Sequence, residues 1–364
     1  MKIYTATFYK NNYGSALQAF ALHQKLRELG AEPVIIHYKE KPKKRSLVTR
    51  LREFFKPEKH YGPIRKLRRY LQRKRYADKA KRINRFVTEN TTMQPYEACV
   101  AEIEKEPCVL LAGSDQVWNT LNRPIAGFYL FDFVKNTRVR RVSYAASIGL
   151  SQLSPEQKAY YKKTLEPFAA VSLRERNAYE SLKDVLDNPV VRQDVDPTLL
   201  FDGAFWEKVA GERPESEPYL FVYMLRPDKR VMRIARRLAK QNGLKIIYMG
   251  LYANRYHGVK TIPDAGVEQF LAHIRYADRV VTNSFHGTVF SVLFERKFVS
   301  VRLSTTASRA ENLLSMTELS NHLIDRVDRA EVANEDYDVS RVRALLQEKR
   351  EDSVAYLRDI ITKS

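Results

Sequence analysis

Arg279-Val280-Val281-Thr282-Asn283-Ser284-Phe285-His286-Gly287-Thr288-Val289-Phe290 passes directly from a β-rich run into an apolar helical one. The spacing predicts a buried strand over Arg279–Thr282 and a helix over Val289–Phe294, so Asn283–Thr288 is the turn that joins them. Asn283 or Ser284 can cap that helix. A helix start presents unpaired N–H groups and partial positive charge, which together suit a phosphate or carboxylate, and Gly287 lets a ligand come close to the backbone. His286 stands on this opening, where an imidazole can hand a proton to a substrate atom; the spacing alone equally allows a histidine that only caps the helix.

The same strand-to-helix alternation extends in both directions. Toward the N-terminus, strands are expected at Ile3–Phe8, Pro33–Tyr38, Val109–Ala112, Val139–Ala145, Ala170–Leu173 and Val191–Val195. A first helix is expected over Ala16–Leu29, closing at Gly30. The hydrophobic pattern stops over Gly211–Pro218, which reads as a linker. Strands recur at Tyr219–Met224, Lys245–Met249 and Phe298–Arg302, with basic-faced helices such as Lys229–Gln241 between them. A last helix near Ser340–Ile361 carries Val342, Leu345, Leu346, Val354, Leu357 and Ile361. The fold class that follows is α/β, with two Rossmann-like parallel-sheet domains facing each other across a cleft in a GT-B-like arrangement. The expected units are 1–210, 216–330 and a C-terminal helix in 331–364 that packs back on the body.

At 364 residues the chain is long enough for two cores, and 44% hydrophobic with 29% charged residues is the composition of a folded chain, not a disordered one. The start, Met1-Lys2-Ile3-Tyr4, lacks the pattern of a secretion signal, so the expectation is a cytoplasmic protein. Cys99 and Cys108 are too few for a disulfide framework and form no zinc-binding pair, so reduced structural thiols and no metal are expected. The net charge is +20, yet Lys39–Arg85 alone holds 20 Lys or Arg against 4 Asp or Glu. That segment, with Ile64, Leu67, Tyr70 and Leu71 as one apolar ridge, is either a solvated helical insertion or a basic helix lying on an anionic membrane. Nucleic acid is not an expected partner, because no zinc finger or RNP-type strand accompanies the cations.

The turn around His286 resembles the C-terminal signature of the polysaccharide pyruvyl transferase family. Other stretches agree in family order: Asn12-Tyr13-Gly14-Ser15-Ala16-Leu17-Gln18-Ala19, Ala112-Gly113-Ser114-Asp115-Gln116-Val117-Trp118-Asn119, Ser143-Tyr144-Ala145-Ala146-Ser147-Ile148-Gly149, Ser172-Leu173-Arg174-Glu175 and Asp196-Pro197-Thr198-Leu199-Leu200. Singly each is weak; in order they are specific, and the resemblance spans roughly Met1 to Leu319.

The resemblance implies phosphoenolpyruvate as donor substrate with no further cofactor, a glycan or lipid-linked oligosaccharide as acceptor, and a histidine and arginines that hold the donor. The histidine falls on His286 and one arginine on Arg174, with Ser284, Phe285, Gly287 and Thr288 completing the donor turn. Family members place an arginine two residues before the histidine; here that position is Ser284, so either Arg226 or Arg309 has to stand in. Guanidinium groups suit this donor because they bind oxyanions as a fork and keep their charge. At the carboxyl end of the Val109–Ala112 strand, Asp115 is the expected base for the attacking hydroxyl, with Gln116, Trp118 and Asn119 as sugar contacts through hydrogen bonds and stacking; the other reading is that Trp118 fills core and Asp115 caps a helix. Asn12, Tyr13 and Gly14 form a further strand-to-helix turn, expected on the acceptor side although a glycine turn there can equally be purely architectural, and Asp196-Pro197-Thr198 is expected to fix the shape of its loop. The competing enzyme class is a GT-B glycosyltransferase using a nucleotide sugar, since a helix-start anion site would also take a diphosphate.

Overall fold

The computed structural model describes residues 1–38, 63–121, 124–187, 190–250, 256–303 and 307–363, with side chains placed for these except 63–73 and 307–308. The apolar ridge and most of the basic segment expected at 39–85 therefore lie outside the described side chains, although the backbone forms one long helix over Pro63–Asn90.

Two parallel sheets carry the chain. The first contains β1 (Lys2–Ala6), β2 (Glu32–His37), β3 (Met93–Pro95), β4 (Val109–Ala112), β5 (Arg140–Ser143), β6 (Ala170–Leu173) and β7 (Val190–Gln193), in the order β3-β2-β1-β4-β5-β6-β7. The second contains β8 (Tyr219–Met224), β9 (Lys245–Gly250), β10 (Lys260–Ile262), β11 (Arg279–Thr282), β12 (Lys297–Val301) and β13 (Leu323–Ile324), in the order β10-β9-β8-β11-β12-β13. All pairings are parallel, for example Thr5 opposite Leu111 and Val222 opposite Val281. Helices cover both faces of such sheets, which is why β4 and β8 are apolar throughout and β4, β6 and β8 are fully buried instead of alternating. The strands of two or three residues, β3, β10 and β13, left no pattern long enough to recognise.

Asn12 caps the first helix, its Oδ1 accepting from Gly14 N–H at 2.9 Å, so the helix runs Tyr13–Glu28 and begins three residues before the expected Ala16. Tyr13, Gly14 and Ser15 are thus the first helical turn and not a loop. Ser284 caps the helix Phe285–Leu293 in the same way, its Oγ accepting from Gly287 N–H at 3.4 Å.

One apolar core lies against the outer face of each sheet, and a third is continuous between the two domains, running from Leu17 and Leu22 through Trp206 and Phe270 to Phe290. The C-terminal helix Val339–Thr362 adds Leu346, Leu357 and Ile360 to this shared core. It returns to the first sheet: Tyr356 Oη donates to Ser143 O at 2.9 Å, Val195 N–H donates to Ser353 Oγ at 3.2 Å, and Arg350 Nε donates to Leu199 O at 2.9 Å. Cys99 and Cys108 are free and buried, and burial pushes both thiols up to about 11. No described helix is long and apolar enough to cross a membrane.

Candidate functional site

In each sheet the strand order reverses between two central neighbours, β1 and β4 in the first and β8 and β11 in the second. The chain leaves such a pair toward opposite faces, which opens a crevice at the strands' carboxyl ends. Here the two crevices meet. A cavity of about 210 Å³ is lined by Phe8, Asn12 and Ser15 after β1, and by Asp115 and Gln116 after β4. Leu225 after β8, and Ser284, Phe285 and His286 after β11, line it from the other domain, together with Arg309 of the helix Ala307–Met316.

The charged side chains around it are almost wholly buried. Arg174, directly after β6, lines a second cavity of about 360 Å³ that shares Phe285 and Arg309 with the first; it is 5% exposed and donates from Nη1 to Asp196 Oδ2 at 2.6 Å. Its Nε and Nη2 have no hydrogen-bond partner, nor does Arg309 Nε. The two guanidinium groups flank one aromatic ring, with their carbons 5.1 and 5.5 Å from the centroid of Phe285. Both approach Asp115, at 4.0 Å from Arg174 and 3.9 Å from Arg309, and Ser15 Oγ donates to Asp115 Oδ2 at 2.5 Å. Asp115 has a positive φ of 72°, which turns the chain at the end of β4 so that the carboxylate meets these partners. Burial acts to raise the Asp115 carboxyl, but Arg174, Arg309 and Ser15 outweigh it and hold the group below its ordinary value. Burial and the like charge of Arg174 pull Arg309 the other way, below the usual guanidinium range. An anion arriving between the two arginines would relieve that repulsion.

His286 lies over the first turn of helix Tyr13–Glu28, so close that a Cβ on Gly14 would overlap the ring near Nδ1. Only glycine lets the two domains approach to this distance. The His286 Nε2 is buried without a hydrogen bond, 3.7 Å from Asp196 Oδ2, which is too long for a hydrogen bond.

Several residues singled out in the sequence do not reach the cavity. Trp118 is wholly buried, with its indole N–H donating to Tyr129 O at 3.3 Å and its ring edge-on to Phe168, so it cannot stack a sugar. Tyr13 stacks on Phe270 at 4.6 Å and donates its hydroxyl to Ala265 O at 2.8 Å, fastening one domain to the other instead of meeting an acceptor. Asn119 Oδ1 accepts from Leu121 N–H at 2.8 Å and shapes its own turn. Thr288 Oγ1 bonds Ser284 O and Ser300 Oγ, and a Cβ on Gly287 would overlap Thr282, so both serve the packing of helix Phe285–Leu293 onto its sheet and not ligand approach. Arg226 is exposed on a separate cavity with Asp228, Arg230 and Arg302, away from His286, which leaves Arg309 as the cation beside Ser284. Asp115, expected as a base, is stabilised as an anion by two guanidiniums and takes up a proton poorly.

Asp196 belongs to the site, although its sequence context shows only a turn residue. The aspartate of Asp196-Pro197-Thr198 does hold its loop, as expected, with Oδ1 accepting from Thr198 N–H at 3.0 Å and Thr198 Oγ1 at 2.7 Å. Its other oxygen meets Arg174 and faces His286. A carboxylate that closes a local turn leaves no separate trace of a second, distant duty. Among the described residues no group of three or more His, Cys, Asp or Glu could hold a metal ion.

A family model described as polysaccharide pyruvyl transferase matches residues 12–305. No curated protein sequence matches the chain. Among solved structures, UDP-N-acetylglucosamine 2-epimerase from Rickettsia bellii is similar at 9% identity and a TM-score of 0.52, over 100% of this chain and 98% of that one. The Methanocaldococcus jannaschii UDP-GlcNAc 2-epimerase in complex with UDP-GlcNAc and UDP is similar at 12% identity and a TM-score of 0.51, over 100% and 99%. UDP-GlcNAc 2-epimerase from Neisseria meningitidis bound to UDP-GlcNAc reaches 10% and 0.51, over 100% and 99%. At such identities the likeness is one of fold alone, and it places the two parallel-sheet domains in the GT-B-like architecture expected from the sequence.

Proposed function

Because the chain belongs to the polysaccharide pyruvyl transferase family, we propose that it moves the enolpyruvyl carbons of phosphoenolpyruvate onto two hydroxyls of a polysaccharide or lipid-linked oligosaccharide, making a pyruvate ketal and releasing phosphate. The observation that carries this reading is the pair of buried guanidinium groups, Arg174 and Arg309, that flank Phe285 with nitrogens left over for an anion. Phosphoenolpyruvate has two anionic groups, a phosphate and a carboxylate, and a planar carbon skeleton that an aromatic face can support. Arg309 takes the duty of the arginine that related chains carry where this one has Ser284.

His286 supplies the proton chemistry. Its imidazolium gives a proton to C3 of the donor, converting the methylene to a methyl and leaving cationic character at C2. The first sugar hydroxyl bonds to C2 and its proton returns to the imidazole. The bond from C2 to the phosphate oxygen breaks, the second hydroxyl bonds to C2, and its proton leaves with the phosphate. Asp115 holds the arginines and Ser15 in place, and Asn12 and Gln116, whose amide nitrogen is buried without a partner, orient the acceptor hydroxyls.

Offering carbon-labelled phosphoenolpyruvate and labelled nucleotide sugars side by side to a panel of glycans tests this. Label passing from phosphoenolpyruvate with one phosphate released per ketal is expected; transfer from a nucleotide sugar alone would establish the glycosyltransferase alternative instead. The cations of 39–85 would bring the enzyme to lipid-linked acceptors on the inner face of an anionic membrane, each adding about 1 kcal/mol near the surface. Sedimentation with anionic liposomes at physiological salt checks that association, and failure to pellet removes it.

A further inference from the structure

We propose that Asp196 is the positioning residue for His286, a carboxylate of the first domain that fixes the proton on Nε2 of a histidine of the second and so sets the tautomer and orientation of the ring. This rests on the pyruvyl-transfer reading for its chemistry, but the pairing itself can be measured without any substrate.

The geometry of the carboxylate divides its work. Oδ1 is taken by Thr198, whose backbone and hydroxyl hold the turn after β7. Oδ2 accepts one short bond from Arg174 and lies 3.7 Å from His286 Nε2. A carboxylate oxygen has two lone-pair directions, so the Arg174 bond leaves one for the imidazole, which a small ring tilt brings into hydrogen-bond range. The buried Nε2 has no other partner, and Gly14 packs against the opposite edge of the ring near Nδ1. The charged groups around the ring are Asp196, Asp115 of the loop after β4, and Arg174 and Arg309 bound or close to those carboxylates. The Tyr13–Glu28 helix brings no charge here: only Asn12, Gly14 and Ser15 face the ring from that side. Burial acts to raise the Asp196 carboxyl, yet His286, Arg174 and Thr198 together hold it well below the usual carboxylate range, so it stays an anion beside the ring.

The test is Asp196→Asn: Arg174 and His286 share Oδ2, so with the amide oxygen kept on Thr198 the N–H₂ group faces both, which removes the Arg174 acceptor and favours a bare Nε2 and the wrong tautomer. Nitrogen-15 NMR of the histidine side chains reads this directly. In the parent protein the neutral His286 ring is expected to carry its proton on Nε2. In the variant the neutral ring is expected to move its proton to Nδ1. The turnover number should fall roughly 10²–10⁴-fold. A parent ring protonated on Nδ1, or the same tautomer in parent and variant, overturns the proposal. If the variant does not fold, the tautomer of the parent still decides. Failure of the pyruvyl-transfer reading would show separately, as a parent protein with the Nε2 tautomer that does not consume phosphoenolpyruvate.

Discussion

Replacing Arg309 with methionine should have opposite effects on the free and the liganded protein. In the free protein Arg309 is 9% exposed, its Nε has no partner, its nearest anion is Asp115 at 3.9 Å, and Arg174 repels it. An unsatisfied buried donor costs about 1–3 kcal/mol, so Arg309→Met, similar in length and without charge, is expected to melt a few degrees higher than the parent. With donor present the sign reverses. Charge-assisted hydrogen bonds from a fixed guanidinium are each worth about 1.5–3 kcal/mol, which converts to a Kd for phosphoenolpyruvate weaker by roughly 10–150-fold. Isothermal titration of phosphoenolpyruvate needs no acceptor and gives this number directly. In melting experiments the parent should gain about 2.7 kcal/mol at a concentration 100 times its own Kd, and the variant far less at that same concentration. Adding Ser284→Arg should restore much of the affinity from the neighbouring position, at the loss of about 1 kcal/mol from the helix cap that Ser284 provides. If Arg309→Met binds phosphoenolpyruvate within twofold of the parent, Arg309 does not hold the donor and the account of the Ser284 departure fails.

His286→Ala should lower transfer by roughly 10²–10⁴-fold while circular dichroism and melting stay near those of the parent; full activity would remove the proposed acid. Trp118→Ala should destabilise the first domain by about 3–5 kcal/mol, read by chemical denaturation, because the indole is wholly buried; a loss of acceptor affinity at unchanged stability would instead return it to the acceptor site. His23 should make the protein acid-sensitive. Burial, with help from Arg27, lowers its imidazole from 6.5 to about 4, and its Nε2 accepts from Thr92 N–H at 3.2 Å, so the folded state needs the neutral ring. Between pH 6.5 and 4 the unfolded chain binds the extra proton, so stability falls as pH drops through that window, by about 3 kcal/mol in total. His23→Gln should flatten that part of a stability-versus-pH curve, and an unchanged slope would refute the assignment.

What was legible in the sequence was local and periodic. Apolar runs such as Val109–Ala112 and Tyr219–Met224 read as strands covered on both faces, and Arg279–Phe290 reads as a strand, a cap and a helix, which put His286 beside a helix start before any neighbour was known. The order of these units required two parallel sheets, and the carboxyl ends of their strands were the right place to look. What the tertiary structure alone decided was direction and partnership. Trp118 and Asp115 are three residues apart on the same loop, yet one turns into the core and the other into the cleft, because Asp115 adopts a positive φ and the indole finds Phe168 and Tyr129 behind it. Arg226 and Arg309 were interchangeable as letters; only the docking of helix Ala307–Met316 beside Phe285 places the second of them beside His286's turn. Asp196 looked complete as a turn residue, since its second oxygen is occupied by side chains that reach it from another strand and another domain. Periodicity reports which face of an element is buried, whereas the partners of a buried charge come from wherever the fold brings the chain, and no spacing encodes that.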